Sequence, residues 1–368
     1  MTREETAPLA SLGWDGRWAA AWRAALKDHR SRVEPSPARI VAEHRDRYVV
    51  AAEDGERTAV LAGRARHDAA ASDSFPAVGD WVGITLGDGD GASVIRFRLE
   101  RRSAFVRKAA GKRTDAQVVA ANVDVALIAT AIPTDLSARR LERYLTLAWE
   151  SGAMPVIVLT KCDLADDPDA LVAEATLAAP GVEVVAVSAT TGVGIELLAR
   201  VLRPNETSVL IGSSGVGKST LVNRLLGVER QRTSQVTDVG KGRHTTTYRE
   251  LIRLETGALL IDTPGMRELQ LWSADDGVDA AFADLDAHAG DCRFRDCVHD
   301  AEPGCAVRAA VESGALSAER LAHWHQLRRE LAYLARKQDE RVAAEMKSRV
   351  RSLTRGLRSR LRDKYGGS

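Results

Sequence analysis

The sequence predicts a multidomain α/β protein: a small antiparallel β-barrel, then a doubly wound, mostly parallel sheet, then a helical segment with clustered cysteines. Three observations predict it. Short alternating segments broken by Gly, Asp and Pro run to about residue 115, the pattern of a barrel with frequent turns. Apolar runs separated by helical stretches follow, as in a parallel sheet covered on both faces. The remainder is helical and basic except for a turn-rich Cys/His stretch. The boundaries read 1–115, 116–273 and 274–368.

Barrel strands are expected at 38–42, 48–52, 58–62, 80–86 and 93–97, preceded by a helix over 14–26. Trp14, Trp18, Trp22 and Leu26 recur at helical spacing in it, which predicts an amphipathic helix packed on the barrel rather than a platform for stacking bases. The stretch 101–114 reads as a basic connector. Sheet strands are expected at 124–130, 155–159, 183–187, 208–211 and 258–261, with helices at 138–150, 169–178 and 218–226. The chain shows no internal repeat.

Its 368 residues suffice for a substantial core, and 45% hydrophobic with 28% charged residues is ordinary for a globular protein. A formal net charge of +1 marks neither a nucleic-acid binder nor an acidic tail. Locally the balance differs: over 321–364 basic residues exceed acidic ones by eight, enough to attract a phosphate backbone. Neither a signal peptide nor an uncharged run of membrane-spanning length is found. The cysteine count suggests reduced thiols in a cytoplasmic protein.

The phosphate chemistry lies in Gly212, Ser213, Ser214, Gly215, Val216, Gly217, Lys218, Ser219 and Thr220. This is a P-loop, GxxxxGK[ST], between an apolar strand and a helix. Glycines turn backbone N–H groups towards phosphate oxygens, and the helix N-terminus adds its positive end. Lys218 can neutralise the β- and γ-phosphates, and the Ser219 hydroxyl can ligate Mg²⁺. Asp262, in the motif Asp-Thr-Pro-Gly ending at Gly265, can hold the same ion through water while the Gly265 N–H meets the γ-phosphate. Between them, 240–247 reads as a switch loop. One of Thr245, Thr246 and Thr247 would complete the Mg²⁺ shell, with Thr246 the candidate.

Base recognition is assigned to Thr160, Lys161, Cys162 and Asp163. Asp163 can accept from guanine N1–H and the exocyclic amine, a donor pair adenine lacks. The Lys161 stem can cover the base plane. Thr160 stands where such motifs carry Asn, and its shorter hydroxyl is expected to reach fewer partners. Ser188 and Ala189 close the next strand, where a backbone N–H can meet guanine O6.

The order is the informative feature. Base recognition precedes the P-loop, whereas an ordinary GTPase runs P-loop, switch, DxxG, then base motif. The chain reads as a circularly permuted P-loop GTPase. Late in the chain, Cys292-x4-Cys297-x-His299-x5-Cys305 supplies three thiolates and an imidazole, the ligand set of a closed tetrahedral zinc site. Its function would be structural, with one Zn²⁺ per chain, and His288, His323 and His325 are less well placed competitors.

Together these motifs resemble the circularly permuted GTPases of the ribosome small-subunit-dependent GTPase A (RsgA, also YjeQ) family. The resemblance also rests on VGDWV at 78–82, RKAAGKR at 107–113, AANVD at 120–124 and RHTTT at 243–247. It implies an N-terminal OB-type barrel, a permuted GTPase domain and a C-terminal zinc-binding domain. It implies GTP hydrolysis activated by the small (30S) ribosomal subunit, late in that subunit's maturation, with 16S rRNA as a partner. A monomer is expected, with no membrane contact. The resemblance offers His244 as the residue that orients the attacking water, because Met266 occupies the place after DxxG where a glutamine often stands. A solvated loop histidine is the alternative.

The barrel, the 101–113 connector and the arginines at 349, 351, 355, 358, 360 and 362 are candidate rRNA contacts. Two other readings stay open: an RNA-binding assembly factor whose nucleotide acts only as a switch, and an ATPase, against which Asp163 argues. Permutation also places the zinc segment directly downstream of Gly265, so the γ-phosphate is expected to reposition it.

Overall fold

A computed structural model describes residues 7–28, 33–44, 47–63, 75–87, 91–108, 116–227, 249–262 and 275–332. His244, Thr246 and Gly265, the loop at 240–247 and the arginines from 349 onward lie outside these residues, as do 109–113 of the connector.

Five strands close the barrel: β1 (Ser36–Glu43), β2 (Tyr48–Ala52), β3 (Gly55–Leu61), β4 (Trp81–Thr85) and β5 (Ser93–Arg98). Their order is β1-β2-β3-β5-β4, and β4 returns to pair with β1 through Ser36↔Ile84 to Arg39↔Trp81. Only β3 and β5 run parallel. Closure leaves no long edge for another chain to extend. The helix Gly16–Asp28 covers the barrel, burying Trp18 and Trp22 with Trp14 against Trp81 and Phe97. Trp14 and Trp81 meet edge to face at 4.7 Å, and Trp22 lies 5.3 Å from Phe97. The tryptophan stripe is therefore core, as its spacing predicts.

The stretch read as an open basic connector is a hairpin. β6 (Ala104–Lys108) pairs with β7 (Ala116–Ala121). Arg101 is engaged with the buried carboxylate of Asp80 at 2.7 Å, and Arg102 with Asp15 at 2.8 Å. Both arginines are committed within the fold, which corrects their reading as rRNA contacts. The physical reason is local: Asp80 is wholly buried and needs a cation.

The second sheet holds β8 (Val125–Ala131), β9 (Met154–Thr160), β10 (Glu183–Val187), β11 (Thr207–Gly212), β12 (Arg249–Arg253) and β13 (Leu259–Asp262), in the order β10-β9-β8-β11-β13-β12. All neighbours are parallel except β12 with β13. Alternate residues of β8 enter different cores. Ala126 and Ile128 join one with helix Ala138–Ser151, while Val125, Leu127 and Ala129 join another with helices Ile195–Val201 and Lys218–Leu226. A sheet buried on both faces needs apolar residues at every position, which is why its strands read as continuous runs. The short strand β12 was not expected from sequence.

β12 also pairs with β1 of the barrel through Ala42↔Glu250 and Glu43↔Arg249, and the side chains of Arg249 and Glu43 meet at 2.7 Å. Barrel and GTPase sheet thus share one ladder. Arg39 adds a buried joint: its guanidinium donates to Leu12 O, to Gly79 O at 3.1 Å, to Asn122 O at 3.3 Å and to Thr207 Oγ1 at 2.9 Å. Burial pushes its pKa down to about 10 against the pull of Asp124 and Asp80, so it stays charged at neutral pH. The last part comprises helices Asp275–Ala281, Ala283–Ala289, Ala306–Glu312 and 318–332 around the cysteine segment.

Candidate nucleotide site and metal centre

The nucleotide motifs converge although they are scattered in sequence. β9 ends at Thr160, β10 leads into Ser188, β11 ends at Gly212 and β13 ends at Asp262. These are the carboxyl ends of neighbouring parallel strands. Between β8 and β11 the winding reverses direction, which is where open α/β sheets place ligands. The spatial order of motif-bearing strands is independent of where the chain begins, so permutation leaves the site intact.

Gly212 shows why the P-loop needs glycine. Its φ is +140°, and a Cβ there would lie 2.2 Å from Ala129 O on the neighbouring strand. Gly215 and Gly217 follow at φ +82° and +94°, and the helix Lys218–Leu226 starts immediately after. Lys218 Nζ is held by the carbonyls of Gly212 at 2.7 Å and Ser213 at 2.6 Å. Its ammonium therefore sits inside the loop it would share with phosphate oxygens. Ser213, Ser214, Val216, Ser219 and Thr220 complete the loop; Ser214 and Ser219 are exposed and Val216 is buried.

Thr160 reaches further than the sequence suggested. Its hydroxyl donates to Val216 O at 2.5 Å, with Thr130 O 3.3 Å away. Lys161 takes a left-handed backbone, φ 59°, and its Nζ donates to Gly215 O at 2.8 Å. Both residues tie the base motif to the P-loop. Cys162 turns into the core, and burial pushes its thiol pKa up with help from Asp163; its side chain is a packing residue. Asp163 is exposed beside it, free to face a ligand edge. Ser188 is committed to its turn: its N–H donates to Val193 O at 2.9 Å and its Oγ accepts from Thr191 N at 3.1 Å. That leaves the Ala189 N–H as the donor available to a base oxygen.

Asp262 and Ser219 emerge from β13 and from the loop after β11, which are paired neighbours. A hydroxyl and a carboxylate are hard oxygen donors of the kind Mg²⁺ prefers.

The metal centre is formed by Cys292, Cys297, His299 and Cys305, whose ligand atoms all lie within 4.8 Å of one another. Cys292 Sγ is 3.9 Å from Cys305 Sγ, and His299 Nδ1 is 3.6 Å and 3.4 Å from these sulfurs. A tetrahedron with Zn–S bonds of about 2.3 Å has edges of about 3.8 Å, so the cluster fits one zinc ion. Burial opposes ionisation of Cys292, but the N–H groups of Val307 and Ala306 outweigh it and hold its pKa below the ordinary value. Cys297 is pushed up to about 11, by burial and by its neighbouring thiols. His299 has φ 61° and stacks against Trp324 with ring centroids 5.3 Å apart. His325 Nε2 lies 3.2 Å from His299 O, and His323 faces Glu142, so neither competes as a ligand.

Comparison with known proteins agrees with this geometry. The RsgA GTPase family model matches residues 98–272. A small ribosomal subunit biogenesis GTPase RsgA from Opitutus terrae is 45% identical, over 96% of this chain and 98% of that one. The crystal structure of YjeQ from Thermotoga maritima superposes with a TM-score of 0.63 at 27% identity, covering 81% of this chain and 99% of that one. YloQ, described as a circularly permuted GTPase, gives a TM-score of 0.59 at 25% identity, covering 83% and 97%. A P-loop bonded to a base motif that precedes it in the chain, on strands in this order and with this extent of identity, places the protein in the RsgA GTPase family as a GTP hydrolase.

Proposed function

We propose that this protein is activated by the small ribosomal subunit and acts in that subunit's biogenesis, late in 30S maturation. The observation that carries the nucleotide part is the bonding of Thr160 and Lys161 to Val216 and Gly215. The names of the relatives supply the ribosomal part. In this reading Asp163 fixes guanine, Lys161 packs on the base, and Ala189 donates to O6. Lys218 neutralises the β- and γ-phosphates. Ser219 and Asp262, with Thr246, hold Mg²⁺, which supplies charge neutralisation between these phosphates. Gly265 meets the γ-phosphate, and His244 orients the attacking water. Cys292, Cys297, His299 and Cys305 hold one structural zinc, expected at about one ion per chain.

The domain division 1–115, 116–273 and 274–368 belongs to the same reading, as do 16S rRNA contact, a cytoplasmic location and a monomeric state. Among the described residues no helix is long and apolar enough to cross a membrane.

Phosphate release measured with and without isolated small subunits tests the proposal, with GTP and ATP offered in competition. Strong stimulation by subunits, with GTP alone consumed, is expected. Equal rates with and without subunits would reject activation, and equal use of ATP would reject Asp163 as the base determinant. His244→Ala should lose the stimulated turnover while nucleotide affinity stays.

A further inference from the structure

The zinc loop presents a surface that the nucleotide chemistry does not use. Between the first two metal ligands, Phe294 is 41% exposed, and Val298 beside the third is 57% exposed. Neither is loosely held. Arg293 N donates to Gly304 O, Cys297 N donates to Phe294 O, and the Glu302 carboxylate accepts from Val298 N at 3.0 Å and Asp300 N at 2.9 Å. Two apolar side chains are thus offered on a backbone fixed by its own hydrogen bonds and by the ligand cluster.

Arg293 and Arg295 flank the ring, which at first suggests RNA. The charge around them decides otherwise. Residues 291–305 hold four acidic against two basic residues, and 275–332 hold twelve against six, a net of −6. Three thiolates around a divalent ion would add one more negative charge. Asp286, Asp291, Asp296 and Asp300 are exposed, while Arg308, Arg320 and Arg328 are paired with acidic residues of the same region. Such a field repels a phosphate backbone. The sequence after residue 332 has the opposite balance, eleven basic against four acidic residues, and that stretch is the part suited to RNA by charge.

An aromatic ring rimmed by carboxylates suits a different partner. Its face attracts ammonium or guanidinium groups, and the rim pairs with their neighbours. We propose that the Phe294–Val298 face of the zinc loop docks a lysine- and arginine-rich protein segment of the small ribosomal subunit, one cation resting on the Phe294 ring. The inference rests on the ribosomal reading above for the source of the segment, and on this surface for its chemistry.

The zinc-loaded full chain is tested with two probes. A photo-crosslinking amino acid at position 294, irradiated with small subunits, should yield a protein adduct; an rRNA adduct, or none from chain that co-sediments with subunits, overturns the proposal. A synthetic lysine-rich peptide carrying leucines is then titrated against the parent and Phe294→Ala. The variant should bind roughly tenfold more weakly, with zinc content and GTP turnover unchanged, while its affinity for a single-stranded RNA oligonucleotide stays the same. Unaltered peptide affinity overturns the proposal. Failure to co-sediment with subunits counts against the ribosomal reading, and the peptide titration still decides the surface.

Discussion

The Thr160 hydroxyl lies 2.5 Å from the carbonyl oxygen of Val216, joining the base motif at the end of β9 to the P-loop after β11. These strands are not neighbours; β8 runs between them. The bond therefore spans a strand width and sets the distance between the base subsite and the phosphate subsite. Thr160→Val keeps the shape and leaves a buried carbonyl without its donor, a loss of about 1–3 kcal/mol. GDP affinity measured by titration should fall about tenfold or more. Thr160→Asn, which restores a longer donor, should recover most of it. If Thr160→Val binds GDP as tightly as the parent, the bond does not organise the site.

Asp163 stands one turn beyond this anchor with its carboxylate exposed. A carboxylate accepts two hydrogen bonds and donates none. Guanine offers two donors on that edge, whereas xanthine offers a donor and a carbonyl oxygen. Asp163→Asn should exchange one acceptor for a donor and reverse the preference from guanosine to xanthosine nucleotides. Competition between GTP and XTP measures it; an unchanged preference would remove Asp163 from base recognition.

Legibility in the sequence followed the physics of each feature. The strands of the GTPase sheet were readable because burial on both faces demands unbroken apolar runs, as in β8. The P-loop and metal cluster were readable because phosphate and zinc demand fixed residue types at short spacing. The partners of Thr160 were not, since a bond across 56 positions leaves no local pattern. The commitment of Ser188 to its own turn, and of Arg101 to Asp80, were hidden for the same reason. β12 was missed because Arg249 and Glu250 open it, and its pairing is with a barrel strand more than 200 positions earlier.

Asp15 links the tryptophan helix to the rest by pairing with Arg102, whose guanidinium lies 3.9 Å over the Trp18 ring. Burial pushes the Asp15 pKa up, but Arg102 and the N–H groups of Trp18 and Arg17 pull harder, leaving it below the ordinary value of 3.8. A folded-state pKa below the unfolded one stabilises above the unfolded value and stops doing so as pH falls through the folded value. Tryptophan fluorescence followed through acid titration should show the helix loosening below about pH 4. Asp15→Asn should lower stability at neutral pH and flatten that acid limb. An identical acid limb in the variant would mean that another carboxylate sets it.

Arg320 is the strongest tie between the zinc region and the GTPase sheet, because every N–H it owns is used. Nε and Nη2 bond Asp284 at 2.5 and 2.7 Å, Nη1 bonds Glu142 at 3.0 Å and Ala178 O at 3.2 Å, and Nη2 also bonds Ala281 O at 2.9 Å. Phe282 lies 4.7 Å beneath the guanidinium. Glu142, on helix Ala138–Ser151, is buried, and burial raises its pKa despite His323 and Arg320. Removing the cation would leave that carboxylate uncompensated. Arg320→Ala is therefore expected to cost about 3–5 kcal/mol, and Arg320→Lys to recover only a fraction, since an ammonium has three donors and no planar fork. Thermal unfolding gives the cost, and limited proteolysis between the GTPase sheet and the zinc segment shows whether the two regions separate. The double substitution Arg320→Met with Glu142→Leu removes both charges and should be less destabilised than Arg320→Ala alone. If all three variants melt with the parent, the network is ornamental, and the zinc region is held by the apolar contacts of Phe282, Leu327 and Leu331 instead.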